Sequence, residues 1–318
     1  MPLVRTAERR FEERFTSLAI GNDRIFLAGG RGRDNGRRSE QVRSMVCFDA
    51  FGDFAEAMWE SIESRSKPYE SLAVGADIVA ATVPLGFPGA PGGLYVTNAD
   101  TGSPRFSLHD LGVADLCTVS GMRAVATFSR DGVTGLVSVI DQERIDERAM
   151  DASSNRIRSL LPLGDDVLVS RTIDVAGERS IHTRMSANLA TIRWELESVF
   201  RYACTVGDRV WLHSGPEGPS GREVLDAVTG DADQRSTSGS FPGLRAVNDR
   251  FLMAHTAANR CDLLDHSCAI AVALDLAAGS DFVDFAGGGD GSIFVLACAN
   301  PLNGGSTLTR YIVEGNRA

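Results

Sequence analysis

Lysine is almost missing from this chain: of its 32 basic residues only Lys67 is lysine, and the others are arginine. The imbalance reads as the bias of a GC-rich genome and points to no partner. No stretch approaches the ~18 consecutive apolar residues of a membrane-crossing helix, so no membrane span is expected. Residues Met1 to Arg10 lack the apolar core of a secretory leader. The cytoplasm is the default location on that ground, and a virion is a second setting that needs no leader. A formal net charge of -10 opposes the positive surface that phosphate contacts require, which makes nucleic acid an unlikely partner.

Other signatures of chemistry are absent too. The six cysteines (Cys47, Cys117, Cys204, Cys261, Cys268, Cys298) include no pair at the two-residue spacing of a zinc knuckle or redox motif, so they read as reduced core thiols. Cys261 and Cys268 are the pair that could flank a hairpin loop and would bridge only in an oxidising setting. There is no Gly-x-Ser-x-Gly elbow and no phosphate-binding loop. The five histidines do not converge: His213 and His255 end neighbouring strands but point to opposite faces, and His109 and His182 lie in other strands. The segment Asp262 to His266 gathers two carboxylates and an imidazole, which without a further ligand from elsewhere is a poor metal site. No cofactor and no metal are expected.

What is present is a repeat. A turn recurs between two apolar runs, beginning at residues 21, 75, 120, 164, 207, 248 and 289, with steps of 54, 45, 44, 43, 41 and 41 residues. Gly164-Asp165-Asp166, Gly207-Asp208-Arg209 and Asn248-Asp249-Arg250 are typical. A period of ~40–50 residues built from short strands is that of a β-propeller, in which each repeat is a four-stranded blade unable to bury its faces alone. The predicted fold is therefore all-β, a seven-bladed propeller forming a single domain. Its blades lie at about residues 15–68, 69–113, 114–154, 155–198, 199–240, 241–281 and 282–318 plus 3–13.

Within a blade the strands A to D differ in character. Strand B is apolar at nearly every position, as in Val210-Trp211-Leu212 and Ile293-Phe294-Val295-Leu296, which burial on both faces requires. Strand D alternates, as an edge open to water should. The last repeat has no strand D before the chain ends. Residues 3–13 alternate like a strand D without a blade, so they are expected to pair with the last strand C and latch the ring.

The turn between strands C and D resembles that of pyrroloquinoline-quinone-like and YVTN-type propeller repeats, in which Asp-Ala-x-Thr-Gly precedes a Trp. It stands here as Asp226-Ala227-Val228-Thr229-Gly230, Tyr95-Val96-Thr97-Asn98-Ala99-Asp100-Thr101-Gly102, Asp49-Ala50-Phe51-Gly52 and Asp275-Leu276-Ala277-Ala278-Gly279, with Trp59, Phe106 and Trp194 as the following aromatics. Blades 3 and 5 depart, carrying Ala149 and Gln234 at that place. The resemblance implies the structural repeat. The eight blades, leader and metal site usual in the quinone-dependent dehydrogenases are not seen, and their activity is not carried over.

Loops between strands B and C share one face with the inter-blade connections. Blade 1 has the longest, residues 29–43, in which Arg31, Arg33, Arg37, Arg38 and Arg43 would clamp carboxylates or phosphates or meet an acidic partner. The competing reading is a solvated loop. Blade 2 follows with Pro84 to Gly93, where Leu85 and Phe87 offer an apolar contact or fold back onto their own blade. The expected function is a non-catalytic binding or assembly module presenting this face to a protein or glycan, with a virion-surface or adhesion role as a narrower version. The alternative is a polysaccharide hydrolase or lyase with its site in the central funnel. Oligomeric state has no signature in the sequence.

Overall fold

The computed structural model describes residues 3–34, 39–64, 69–83, 92–113, 115–119, 121–130, 133–150, 156–173, 179–213, 222–236, 244–247, 252–257, 259–265, 270–276, 279–299 and 305–313. All regular elements among them are strands. After β1 (Leu3–Arg10), blade 1 holds β2 (Phe15–Gly21), β3 (Arg24–Asp34), β4 (Ser39–Asp49) and β5 (Trp59–Ser64). Blade 2 holds β6 (Ser71–Val74), β7 (Ile78–Val83), β8 (Gly93–Asn98) and β9 (Pro104–His109); blade 3, β10 (Leu116–Val119), β11 (Arg123–Arg130), β12 (Val133–Val139) and β13 (Ile145–Met150). Blade 4 holds β14 (Arg156–Leu163), β15 (Asp166–Thr172), β16 (Ser180–Ser186) and β17 (Ile192–Ser198); blade 5, β18 (Tyr202–Val206), β19 (Arg209–His213), β20 (Arg222–Asp226) and β21 (Ala232–Ser236). Blade 6 holds β22 (Arg245–Ala246), β23 (Leu252–Ala257), β24 (Arg260–Leu264) and β25 (Ile270–Asp275), and blade 7 holds β26 (Ser280–Gly287), β27 (Ser292–Ala299) and β28 (Ser306–Val313). Each blade is an antiparallel four-stranded sheet, and blade 7 takes β1 as its fourth strand in the order β1-β28-β27-β26.

Alternation in the second strands builds the ring. In β15, Val167 and Val169 enter a cluster with Cys117, Val119 and Val125 of blade 3, while Leu168 between them packs with Phe200, Val210 and Leu212 of blade 5. In β3, Ile25 and Leu27 meet Phe294 and Leu296 of blade 7, whereas Phe26 and Ala28 meet Val79 and Ala81 of blade 2. A strand whose successive side chains point to opposite faces can serve two neighbours only if every position is apolar. The described residues contain one such apolar cluster for each of the seven seams. The outer strands alternate exposed and half-buried positions, clearest in β13.

The latch forms as the sequence predicts. β1 pairs with β28 from Leu3 opposite Val313 to Arg10 opposite Thr307. Two backbone bonds extend the zip, Phe11 N–H to the Ser306 carbonyl at 2.8 Å and Ser306 N–H to the Glu13 carbonyl at 2.9 Å. Arg9 anchors it from the side. Its guanidinium lies over the rings of Phe11 and Phe48, and it donates to the carbonyls of Phe54 and Ala55 in blade 1.

The turn motif and its aromatic meet across blade seams. Asp226 Oδ1 accepts the N–H groups of Val228 and Thr229, and Asn98 Oδ1 accepts those of Asp100 and Thr101, so each side chain organises its own turn. Trp194 of blade 4 then reaches the blade 5 turn, donating Nε1–H to the Ala227 carbonyl at 3.1 Å, and Trp59 of blade 1 donates to the Ala99 carbonyl of blade 2 at 2.9 Å. Gly230 and Gly102 close these turns with φ of 77° and 68°. A Cβ on either would sit 2.8 Å or 2.5 Å from the indole, so glycine serves both the backbone and the docked ring.

Blade 1 differs from the sequence expectation. Its long B–C loop is largely strand: Gly29 to Asp34 pair with Ser44 to Ser39, leaving only 35–38 outside the described residues. Backbone pairing needs no particular side chain, so the ladder continues past the packed core as far as Asp34 and Ser39.

A polar link at the seam between blades 4 and 5 gives the fold a pH dependence. His182 is fully buried, with Nδ1 2.8 Å from Ser170 Oγ and Nε2 2.9 Å from the Phe200 carbonyl. Because a carbonyl can only accept, Nε2 carries the proton and Ser170 donates to Nδ1. Burial pushes the imidazole down to about 4, against an ordinary 6.5. The folded state thus disfavours protonation: this stability is complete above pH 6.5 and is lost as pH falls toward 4. The loss amounts to about 3 kcal/mol on that shift. Urea unfolding at pH 7.5 and 4.5 is expected to show it, and His182→Gln to flatten the dependence. Deleting residues 1–13 is expected to lower the calorimetric midpoint and make unfolding less cooperative, because it frees the edge of β28 and exposes Phe48 and Phe54.

Candidate functional site

The sequence-predicted patch is only partly within view. Arg31 and Arg33 stand in β3, opposite Val42 and Glu40. Arg37, Arg38, Leu85 and Phe87 lie outside the described residues. Arg43 is placed clearly: it is 5% exposed, with its guanidinium 4.2 Å from the Tyr95 ring centre and 5.0 Å from that of Tyr69. It ties β4 to blade 2 through stacking on two rings. Of the cysteines, Cys47, Cys117, Cys204, Cys261 and Cys298 are buried free thiols, and Cys268 lies outside the described residues.

The histidines do not assemble. His109 is exposed beside Ser107, His182 is buried as above, and His213 is buried and stacked on Tyr202 at 5.7 Å. The side chain of His255 and all of His266 lie outside the described residues. Asp262, expected in a loop, lies in β24 and pairs with Arg260 at 3.2 Å. Among the described residues no group of three His, Cys, Asp or Glu side chains is placed to hold a metal.

What the fold does assemble is a central channel. First strands of successive blades run side by side, with β2 beside both β26 and β6, then β6 with β10, β10 with β14, β14 with β18 and β18 with β22. They enclose a cavity of about 820 Å³ lined from all seven blades. Its lining includes the start of β2, β6 and β10, the middle of β14 and β26, and His213 at the end of β19, which sets it toward the end where the B–C loops emerge.

Sequence reading missed this ring, although one signal marks it. The residues five positions before each repeat turn are Thr16, Glu70, Asp115, Ser159, Tyr202, Gly243 and Asp284. All of these except Gly243, which lies outside the described residues, line the cavity. Equal phase in a repeat means equal radius in a ring.

The two aspartates are occupied as structural acceptors. Asp115 takes the N–H of Leu116 at 2.9 Å through Oδ1 and that of Leu160, on blade 4, at 2.6 Å through Oδ2. Asp284 takes Phe285 N–H at 3.0 Å and, across the closing seam, Leu18 N–H of blade 1 at 2.9 Å. Each carboxylate thereby satisfies a backbone donor that the innermost edge of a sheet leaves open. The third acidic group, Glu70, stands on blade 2.

Comparison with known proteins supports the fold. No family model and no curated protein sequence matches the chain. Among solved structures it is similar to BamB from Moraxella catarrhalis, at 11% identity and a TM-score of 0.55, covering 99% of each chain. It is also similar to the Cps50 (Swd1) β-propeller domain of Myceliophteria thermophila, at 11% identity and a TM-score of 0.66, covering 98% of this chain and 100% of that one. The Dos1 propeller aligns at 9% identity with a TM-score of 0.61, over 98% and 95%. At such identities the likeness is one of fold.

The channel aspartates yield a direct prediction. Asp115→Ala strands the Leu160 N–H and is expected to cost about 1–3 kcal/mol in chemical denaturation. Asp115→Asn keeps an acceptor oxygen and should cost clearly less. The same order is expected at Asp284.

Proposed function

We propose that this chain is a non-catalytic binding or assembly module whose B–C face, at blades 1 and 2, receives a protein or glycan partner. The observation that carries this reading is the length of the blade 1 hairpin. β3 and β4 are each 11 residues long, whereas among the described residues the second strands of the other blades have 5 to 8. At about 3.4 Å per residue its strands are roughly 10–20 Å longer than the second strands described in the other blades. Its extension carries Arg31 and Arg33, with Arg37 and Arg38 in the segment that joins the strands. On a chain of net charge -10, such a local basic element favours an acidic surface or an anionic glycan over a neutral one. The buried Arg43 serves as the base on which the hairpin stands, and Leu85 and Phe87 of blade 2 would supply an apolar contact beside it.

On this reading the seven blades act as one unit, and the turn motifs belong to the pyrroloquinoline-quinone-like and YVTN-type repeats. The cytoplasm or a virion surface is the setting that suits it. Replacing Arg31, Arg33, Arg37 and Arg38 with serine should leave the far-UV spectrum and melting midpoint unchanged while abolishing retention of partners from the native source. Wild-type retention should weaken steeply as salt is raised. Undiminished retention by the quadruple variant would rule out the basic hairpin as the contact.

A further inference from the structure

Among the described residues that line the channel, Arg158 is a cation with no carboxylate partner. Arg158 is the bulged residue of β14: Ile157 pairs with Arg171 and Ser159 with Ser170, so Arg158 has no partner across the ladder. A bulge re-aims its side chain relative to the pleat, and Arg158 lines the cavity. Its Nε–H donates to Thr172 Oγ1 at 3.0 Å, which fixes the plane of the guanidinium. Its terminal nitrogens meet no carboxylate among the described residues. The nearby acidic group on blade 3, Asp115, is engaged by Leu116 and Leu160, and Glu70 stands two seams away on blade 2.

A further group lines the same cavity. On the next blade, half-buried Tyr202 is held by its stack on His213, with the rings 24° from parallel. An oriented guanidinium and a braced aromatic side chain on adjacent blades line a space of about 820 Å³, which lies within the ~300–1,000 Å³ of small-molecule sites.

We propose that the channel mouth at blades 4 and 5 binds a small organic anion, with its carboxylate or phosphate on Arg158 and its ring or carbon skeleton against Tyr202. Arginine suits either head group because its fork of N–H donors matches two oxygens at once. The site is separate from the hairpin of blade 1 and does not rest on its role.

The test is isothermal titration of the full chain with four probes: inorganic phosphate, phenyl phosphate, acetate and benzoate. Saturable binding of phenyl phosphate or benzoate is expected, each tighter than its ringless counterpart, and the stronger of the two identifies the head group. Arg158→Gln should weaken the ring-bearing probes about tenfold or more with the melting midpoint preserved. Tyr202→Leu should weaken phenyl phosphate and benzoate but leave inorganic phosphate unchanged, so it decides the matter even if Arg158→Gln fails to fold. Absence of saturable heat with all four probes, or equal affinities in wild type and the variants, would overturn the proposal.

Discussion

Two-sided packing of the second strand of each blade is the constraint on which the rest of this structure depends. Residues such as Phe26, Leu27 and Leu168 are fully buried, and neighbours in sequence serve opposite seams. Burying a Leu, Ile or Phe side chain contributes about 1.5–3 kcal/mol, so a seam with several such residues from each side is strongly favourable. No single sheet gains that energy. A blade alone would leave both faces wet, and stability belongs to pairs of blades and then to the ring.

A linear array of such blades would still end in two uncovered faces and two free edges. Joining the first strand to the last sheet removes that defect, because blade 7 becomes complete and its β27 residues Phe294 and Leu296 meet Ile25 and Leu27 of blade 1. The seam is reinforced by polar contacts of matching kind at different radii. Asp284 holds Leu18 at the channel, while Arg9 holds the Phe54 and Ala55 carbonyls further out. Elsewhere the same task falls to Asp115 at the channel and to Trp59 and Trp194 toward the rim. Carboxylate, guanidinium and indole contacts thus meet backbone groups at the seams between blades 7 and 1, 1 and 2, 3 and 4, and 4 and 5.

Much of this was legible because a repeat reports its own phase. The turns fixed the blade count, continuous apolar runs marked the strands buried on both faces, and alternation in residues 3–13 identified the latch. Gly102, Gly230 and Gly279 take the positive φ that turn chemistry foretells, Gly52 does not, and the docked indoles account for Trp59 and Trp194. The channel was less legible, since its lining is one residue per blade, scattered over the whole chain. Reading the column five places before each turn recovers it. The bulge that exposes Arg158 leaves no trace in residue type, because an extra residue in a strand looks like any other. Arg43 misled for a related reason: an arginine among glycines and polar residues reads as a loop, yet the ladder carries it inward onto Tyr69 and Tyr95.

Hairpin and channel open toward the same end of the molecule, so a partner on the rim and a small anion in the axis would share one face of a rigid ring. The rigidity of that frame is what both readings assume. Residue-resolved native-state hydrogen exchange measures it most directly. If the seams and the latch make the wheel one cooperative body, amides of β3, β7, β11, β15, β19 and β27 will exchange only through global opening, with a common free energy, while the outer strands exchange earlier. Exchange of β27 and β28 well ahead of β15 would show blade 7 opening by itself and would contradict circular closure.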